Sequence, residues 1–174
     1  FQAEDGIRDF CLSRGLGDVY KRQVIVLIAS LALLVGLWAQ QALKFDFTTL
    51  DGETHRWNNT QGNWTVVNYF AEWCAPCLRE IPELNHFSQQ NKDKVNIFAI
   101  SFDPLNNEQL LALQQKYNIQ FPVIDSLNSM PWNRPPNALP TTYILDAEGK
   151  VQKQLKGEQS AKQLIHTINV LKGL

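Results

Sequence analysis

Two closely spaced cysteines directly after an apolar run constrain this chain more than any other feature. Cys74 and Cys77 follow the mostly apolar segment 64–70, with two residues between them. Such a pair can close a disulfide if the first cysteine lies at a helix N-terminus and the second lies one turn inside the helix. Unpaired backbone N–H groups and the helix dipole then stabilise a thiolate on the first cysteine. The pattern predicts a strand that leads into a helix, with Cys74 reactive and Cys77 shielded as the resolving thiol.

The same spacing also occurs as half of a zinc site, which needs two further ligands. The candidate ligands are Cys11, His55, His86 and His166, and none of them is paired with another at a ligand-like spacing. We therefore favour redox chemistry, with the cysteine pair itself as the redox group and with neither a metal site nor a further cofactor. A zinc site and an inert pair remain the alternatives.

Composition narrows the function classes. The 174 residues carry a formal net charge of −1 and no run of Lys and Arg longer than two, which argues against a nucleic-acid surface. Apart from the pair, the chain has only Cys11, so no framework of structural disulfides holds it together.

Residues 1–23 show no apolar period and scatter glycines among charges of both signs. We expect this segment to be a non-native or disordered leader, or else a cytoplasmic tail, and assign no function to Cys11.

A charge-free run, Val24–Ala39, follows this leader. Its 16 residues fall short of the roughly 20 that span a bilayer, but the uncharged residues up to position 43 extend it. Trp38 suits the interfacial belt. We predict that residues 24–43 form a membrane anchor, and a cleaved signal segment or a buried core helix are the alternatives. Lys21 and Arg22 indicate that the N-terminal side is cytoplasmic, which places residues 44–174 on the other side of the membrane.

Residues 44–174 alternate between apolar strand patterns and helical patterns. The predicted strands are 45–47, 53–57, 64–70, 95–102, 121–124, 141–145 and 151–155, and the predicted helices are 74–90, 106–117 and 160–171. Pro82 should kink or restart the first of these helices. A parallel core followed by an antiparallel hairpin and a closing helix indicates an α/β, three-layer fold with a central mixed sheet. The cysteines then lie at the carboxyl end of a strand, where α/β sheets place their chemistry.

Two strings resemble the thioredoxin fold: Trp73-Cys74-Ala75-Pro76-Cys77 after a buried strand, and Leu139-Pro140-Thr141-Thr142 before a hairpin. More narrowly, the string Phe70-x-x-Trp73-Cys74-x-Pro76-Cys77-x-x-Glu80-x-Pro82 resembles the TlpA/ResA-like membrane-anchored thiol–disulfide oxidoreductases of bacterial envelopes. The resemblance covers about residues 45–174 and implies a thioredoxin-like domain with an N-terminal β-hairpin and a helix–strand insertion. One departure is segment 130–137, which is too rich in proline to form the short helix usual in that family.

The resemblance and the spacing together assign roles around the cysteine pair. Cys74 attacks a partner disulfide, and Cys77 resolves the mixed disulfide. Pro76 suits the first turn of the helix and, by resemblance, holds the geometry of the dithiol. Glu80 lies one turn beyond Cys77, where it can accept or relay that thiol's proton, and a solvated surface carboxylate is the alternative.

The remaining site residues come mainly from the resemblance. It implies that Pro140 is cis, packs against the disulfide and keeps metals out. The backbone of Leu139 then pairs with a substrate strand. Trp73 shields the active site, although packing alone also explains a tryptophan there.

These observations predict a single-pass protein of a bacterial inner membrane whose catalytic domain lies on the periplasmic or extracytoplasmic side. It would reduce selected protein disulfides, such as those of cytochrome c maturation or of copper-site thiol proteins, and a membrane electron donor would re-reduce its cysteine pair. A general disulfide oxidase or isomerase, and a copper-binding module that uses the pair as ligands, are the alternatives.

Overall fold

The computed structural model describes residues 14–42, 44–59 and 62–174, and the chain divides into two compact units between Lys44 and Phe45. Cys11 lies outside the described residues. The described residues of the first unit form one long helix, α1 (Arg14–Ala42).

Helix α1 contains a stretch that is long and apolar enough to cross a membrane. This stretch is Tyr20–Trp38, with a mean hydropathy of 1.7, and a signal sequence would satisfy the same criteria. The helix begins at Arg14, so residues 14–23 are helical, and the expected non-native or disordered leader over residues 1–23 stays a prediction. Adding residues to an existing helix costs far less than starting one, so the apolar helix extends into the polar segment before it.

The second unit, Phe45–Leu174, is a mixed sheet with helices. In chain order its elements within the described residues are β1 (Phe47–Thr49), β2 (Thr54–His55), a short 3₁₀ helix (Trp57–Asn59), β3 (Trp64–Phe70), α2 (Ala75–Asn91), β4 (Val95–Ser101), α3 (Asn107–Lys116), β5 (Val123–Leu127), β6 (Thr141–Leu145), β7 (Val151–Lys156) and α4 (Ala161–Lys172). The strand order is β2-β1-β5-β4-β3-β6-β7, in which β3, β4 and β5 are parallel neighbours and the other pairs are antiparallel. The predicted α/β class and mixed sheet are confirmed.

One face of this sheet is covered by helices. Strands β3, β4 and β5 add to the sheet in one direction, and right-handed crossovers then place α2 and α3 on the same face. Helix α4 packs there too, against α2. The buried side chains shared by this face are Val66, Phe70, Ile97, Ala99, Val123 and Ile144 from the strands and Leu84, Phe87, Leu110, Leu113, Leu164 and Ile168 from the helices.

The opposite face is covered by aromatic side chains rather than by α2, α3 or α4. Its buried cluster is Phe47, Trp57, Val67, Tyr69, Phe98, Ile100, Ile124, Trp132, Tyr143 and Leu145. The Trp132 ring stacks on the Tyr143 ring with centroids 4.7 Å apart, and its Nε1–H donates to the Tyr69 hydroxyl at 3.1 Å. These contacts hold the segment between β5 and β6 across the sheet. Segment 130–137 contains no regular helix, as predicted.

Several predicted elements differ from the structure. The first strand is Phe47–Thr49 instead of 45–47, and the second is Thr54–His55 instead of 53–57. The fifth strand runs from Val123 to Leu127 instead of over 121–124, because Thr48 and Phe47 of β1 pair with Ser126 and Leu127 and recruit these residues into the ladder. Helix α2 does not restart at Pro82. Since Pro82 lies on an exposed part of the helix, water can bind the carbonyl group that the proline leaves without a partner.

Gly149 in the β6–β7 turn offers a direct test of this packing. Its φ is +80°, and a Cβ added there would lie 2.6 Å from the carbonyl carbon of Trp57. Gly52 has a similar φ of +85° with open space around it. We expect Gly52→Ala to lower the free energy of unfolding by about 1–2 kcal/mol through φ alone, and Gly149→Ala to lower it by about 1–3 kcal/mol more through overpacking. Equal losses in a denaturant titration of the two variants would contradict the close approach.

Candidate active site

The cysteine pair lies where β3 gives way to α2. Cys74 is the N-cap residue of α2, and its Sγ accepts a hydrogen bond from the backbone N–H of Cys77 at 3.2 Å. The two Sγ atoms form a disulfide bond of 2.03 Å. Pro76 lies in the first helical turn, where its missing N–H costs no hydrogen bond. Cys74 is 5 % exposed and Cys77 is 0 % exposed, so Cys77 is the more shielded thiol, as predicted.

Glu80 is a buried carboxyl one turn beyond Cys77. Only 2 % of the residue is exposed, so the alternative of a solvated surface carboxylate is wrong. Its Oε1 accepts a hydrogen bond from Nδ2 of Asn68 at 2.8 Å, and its Oε2 accepts one from the backbone N–H of Gln159 at 3.0 Å. Burial raises the pKa of Glu80 to about 7, against the opposing effect of these two hydrogen bonds. A carboxyl with a pKa near neutrality can both take and release a proton at physiological pH.

Asn68 connects Glu80 to the neighbouring strand. Its Nδ2 also donates to Oγ1 of Thr142 at 3.1 Å, and the two residues are register partners on β3 and β6. Both are buried, at 2 % and 0 % exposed. The amide therefore fixes the carboxylate of Glu80 on the sheet. Asn68, Thr142 and Gln159 are distant along the chain, and no local sequence pattern indicates that they meet, so none of them was predicted to belong to the site.

The connection between β7 and α4 is bound to α2 by successive side chains of that helix. Arg79 forms an ion pair with Glu158, and Oε2 of Glu83 accepts a hydrogen bond from the N–H of Ala161 at 3.0 Å. Together with the Gln159–Glu80 hydrogen bond, these contacts attach two points of the connection and the first residue of α4 to the helix that carries the cysteines. These contacts fix the β7–α4 connection next to the buried carboxylate of Glu80.

The Leu139–Pro140 segment lies at the same end of the sheet. The peptide bond between the two residues is cis, as predicted. Because Thr141 pairs with Tyr69 near the carboxyl end of β3, Pro140 is close in register to the strand end that leads to the cysteines. The carbonyl group of Pro140 accepts a hydrogen bond from the N–H of Gly157 at 2.9 Å. Leu139 is half-buried, and its backbone makes no hydrogen bond to other backbone groups of the described residues.

Trp73 lies on the surface beside the pair. It is 65 % exposed, its Nε1–H donates to Oδ2 of Asp103 at 2.9 Å, and its ring meets the edge of Phe102 with centroids 6.2 Å apart. The predicted shielding of the active site by Trp73 stays a prediction. The structure holds the indole in place without burying it.

The histidines proposed as alternative zinc ligands lie apart from the pair. The His55 ring stacks on Phe47 with centroids 4.9 Å apart, and burial lowers its pKa. His86 and His166 are exposed on α2 and α4. Within residues 14–42, 44–59 and 62–174, no three His, Cys, Asp or Glu side chains are grouped so as to hold a metal ion. A zinc site needs two ligands besides the pair, and the described residues do not group them there. The copper module, which uses the pair itself, stays an alternative.

Comparison with known proteins places this geometry among redox enzymes. Residues 38–154 match the AhpC/TSA family. The thiol-disulfide oxidoreductase ResA of Bacillus anthracis is 32 % identical over 127 residues, which are 72 % of this chain and 73 % of the relative. The thioredoxin-like protein YneN of Bacillus subtilis is 29 % identical over 127 residues, covering 72 % and 75 %. The crystal structure of StoA from Bacillus subtilis superimposes with a TM-score of 0.56 at 22 % identity, covering 70 % of this chain and 93 % of StoA.

Proposed function

This chain belongs to the AhpC/TSA family and is a thiol–disulfide oxidoreductase of the thioredoxin-like kind, and we propose that it reduces selected protein disulfides outside the cytoplasmic membrane. Helix α1 would anchor it in the inner membrane of a bacterium, with Phe45–Leu174 on the periplasmic or extracytoplasmic side. Protein disulfides of cytochrome c maturation or of copper-site thiol proteins would be its substrates. A membrane electron donor would return its cysteine pair to the dithiol.

The observation that carries this proposal is the buried carboxyl beside the dithiol. In the reduced protein, the helix N-terminus at Cys74 stabilises the thiolate that attacks a partner sulfur. The partner's S–S bond breaks, one partner sulfur leaves as a thiolate and takes a proton, and the other forms a mixed disulfide with Cys74.

Resolution then needs a second thiolate at Cys77, in the more buried position. Ionised Glu80, held by Asn68 and Gln159, accepts the proton of the Cys77 thiol. The Cys77 sulfur attacks the Cys74 sulfur, the intramolecular disulfide forms, and the second partner sulfur leaves as a thiol. Two electrons have then passed from the chain to the partner, together with one proton from Cys77 through Glu80 and one from the solvent, which had received the proton of Cys74 when its thiolate formed.

Substrate recognition would use the segment before β6. The backbone of Leu139 is without a backbone partner in the described residues and lies beside the strand end that leads to Cys74. An extended substrate segment would pair with it as an added strand, with affinity from main-chain hydrogen bonds. Trp73 and Phe102, both exposed, would contact the partner next to the disulfide.

The direction of electron flow is tested by the equilibrium of the full chain, in mild detergent, with glutathione. A reductant should have a potential more negative than about −200 mV, in the range of glutaredoxins and thioredoxin. A value near −120 mV, typical of strong oxidants, or near −180 mV, typical of isomerases, would contradict the reductase proposal.

Substrates are identified by trapping. A Cys77→Ala variant cannot resolve the mixed disulfide, so we expect covalent adducts through Cys74 to accumulate in bacterial envelopes and to disappear under reducing conditions. The control is Cys77→Ala combined with Cys74→Ala, which should give no adduct. Adducts that persist in the double variant would arise from another cysteine and would contradict the assignment of Cys74 as nucleophile.

A further inference from the structure

A second surface with its own chemistry lies next to the Leu139–Pro140 segment. A pocket of about 430 Å³ opens between the proline-rich segment 131–137 and the β6–β7 hairpin. The hairpin side is lined by Tyr143, Val151, Gln154 and Lys156. This volume lies within the range of pockets that bind small molecules, and it suffices for a few side chains of a bound peptide.

The pocket is preformed. Its inner wall is the stacked pair of Trp132 and Tyr143, of which Trp132 is only 6 % exposed and is tied by its Nε1–H to the Tyr69 hydroxyl. Prolines 131, 135 and 136 restrict the backbone of the other wall, because each fixes its own φ. A wall of this kind loses little conformational entropy when a ligand binds.

The lining is cationic. Arg134 and Lys156 both contribute to it, and no carboxylate residue does. Neither cation forms an ion pair with a carboxylate of the described residues. The side-chain amides of Asn133, Asn137 and Gln154 add hydrogen-bond donors around the same opening. The guanidinium group of Arg134 and the ammonium group of Lys156, with amide donors around them, are complementary to a carboxylate.

The pocket adjoins the segment to which a substrate strand would bind. Asn137 lines the pocket and precedes Leu139 by two residues. On the other wall, Lys156 pairs with Thr141 in the β6–β7 register and precedes Gly157, whose N–H binds the carbonyl of Pro140. A peptide that adds a strand at Leu139 therefore continues towards this opening within a few residues.

We infer that this pocket is a specificity subsite of the proposed reaction, at which Arg134 and Lys156 bind an acidic side chain of the protein substrate a few residues from its reacting cysteine. The inference rests on the proposed function and adds to it the chemical class of the substrate segment: acidic rather than neutral or basic.

The test uses peptide disulfides that differ only in charge. One pair of peptides carries three residues, all Glu or all Gln, on the N-terminal side of the cysteine, and a second pair carries them on the C-terminal side. The full chain is reduced, freed of reductant and reacted with each peptide in mild detergent under single-turnover conditions. At low ionic strength we expect one Glu peptide to react about three- to tenfold faster than its Gln partner, as two exposed charge pairs allow.

Variants locate the effect. Arg134→Gln combined with Lys156→Gln should bring the rate for the Glu peptide down to that for the Gln peptide, while the rate for the Gln peptide itself stays unchanged and reports an intact fold. Lys153→Gln is the matched control, because Lys153 lies on the same strand but pairs with Ile144, whose side chain faces the opposite core.

Equal rates for the Glu and Gln peptides in both pairs would overturn the inference, and so would a preference that survives in the double variant. If the reduced chain reacts with none of the peptides and does not reduce insulin, the oxidoreductase function itself fails and the inference fails with it. These two failures are therefore distinguishable.

Discussion

Replacing Cys74 with serine is expected to abolish disulfide reduction, with a loss of at least about 10³-fold in the turnover of insulin disulfides by the full chain. A serine hydroxyl is not ionised at neutral pH and cannot form the mixed disulfide. Serine is also a preferred N-cap residue and can accept the hydrogen bond from the N–H of Cys77, so α2 should keep its N-terminus. Any remaining turnover near the original rate would remove the assignment of Cys74 as nucleophile.

The matched control is Cys77→Ser. This variant keeps the attacking thiol and should complete one round of mixed-disulfide formation, detected as a covalent adduct, without turning over. Cys74→Ser cannot form the mixed disulfide, whereas Cys77→Ser forms it but cannot resolve it. This difference separates the roles of the two cysteines. Equal behaviour of the two variants would contradict that division.

Glu80→Gln is expected to have the second largest effect, because it removes the only proton acceptor that we propose for the resolving thiol. The release of a mixed disulfide, followed in a single turnover, should slow by about 10²-fold or more. Glu83→Gln is the control: Glu83 lies one turn further along α2, is exposed and also accepts a hydrogen bond from a backbone N–H, that of Ala161 at the start of α4. An unchanged release rate in Glu80→Gln would exclude the proton-transfer role.

The same substitution has a thermodynamic signature. The pKa of Glu80 is about 7 in the folded chain, above the ordinary value of 4.5, so the folded state holds this proton more tightly than the unfolded state does. The contribution of Glu80 to the free energy of unfolding is therefore fully present below pH 4.5. It is lost as the pH rises to about 7, which lowers the free energy of unfolding by about 3 kcal/mol. In denaturant titrations from pH 4.5 to 7, Glu80→Gln should lack this decline and Glu83→Gln should retain it. A decline of equal size in Glu80→Gln would show that another group titrates there.

The burial of Glu80 depends on the polar network around it, which explains why a costly group is retained in the core. A buried carboxyl is tolerated when hydrogen-bond donors surround it, and here Asn68 and the N–H of Gln159 supply them. Within the described residues, no buried side-chain nitrogen or oxygen lacks a partner. The site therefore combines a raised pKa with full hydrogen bonding, as proton transfer at neutral pH requires.

The local signals in the sequence were sufficient to predict most elements of the thioredoxin-like unit. Strand β3 has the predicted bounds, Trp64–Phe70, because an apolar run bounded by polar residues specifies a buried strand. Asn106 and Ser160 both form capping boxes, and Gly173 ends α4 with a φ of +75°. The N-cap position of Cys74 belongs to the same class of signal. In each case the hydrogen bonds join residues three or four positions apart, so the sequence around them contains the information.

The features that only the tertiary structure decided all depend on distant residues. Strand β5 extends to Leu127 because β1 pairs with it. Trp132 lies in segment 130–137, for which the sequence predicts no helix, and it covers the sheet face opposite α2, α3 and α4. Asn68 meets Thr142 across 74 positions and Gln159 meets Glu80 across 79. Elements this far apart along the chain bury the carboxyl of Glu80, and burial raises its pKa to about 7 against the opposing effect of its hydrogen bonds. The spacing along α2 was sufficient to predict that Glu80 lies near Cys77. The solvent exposure of Glu80, however, depends on elements from elsewhere in the chain that pack around it.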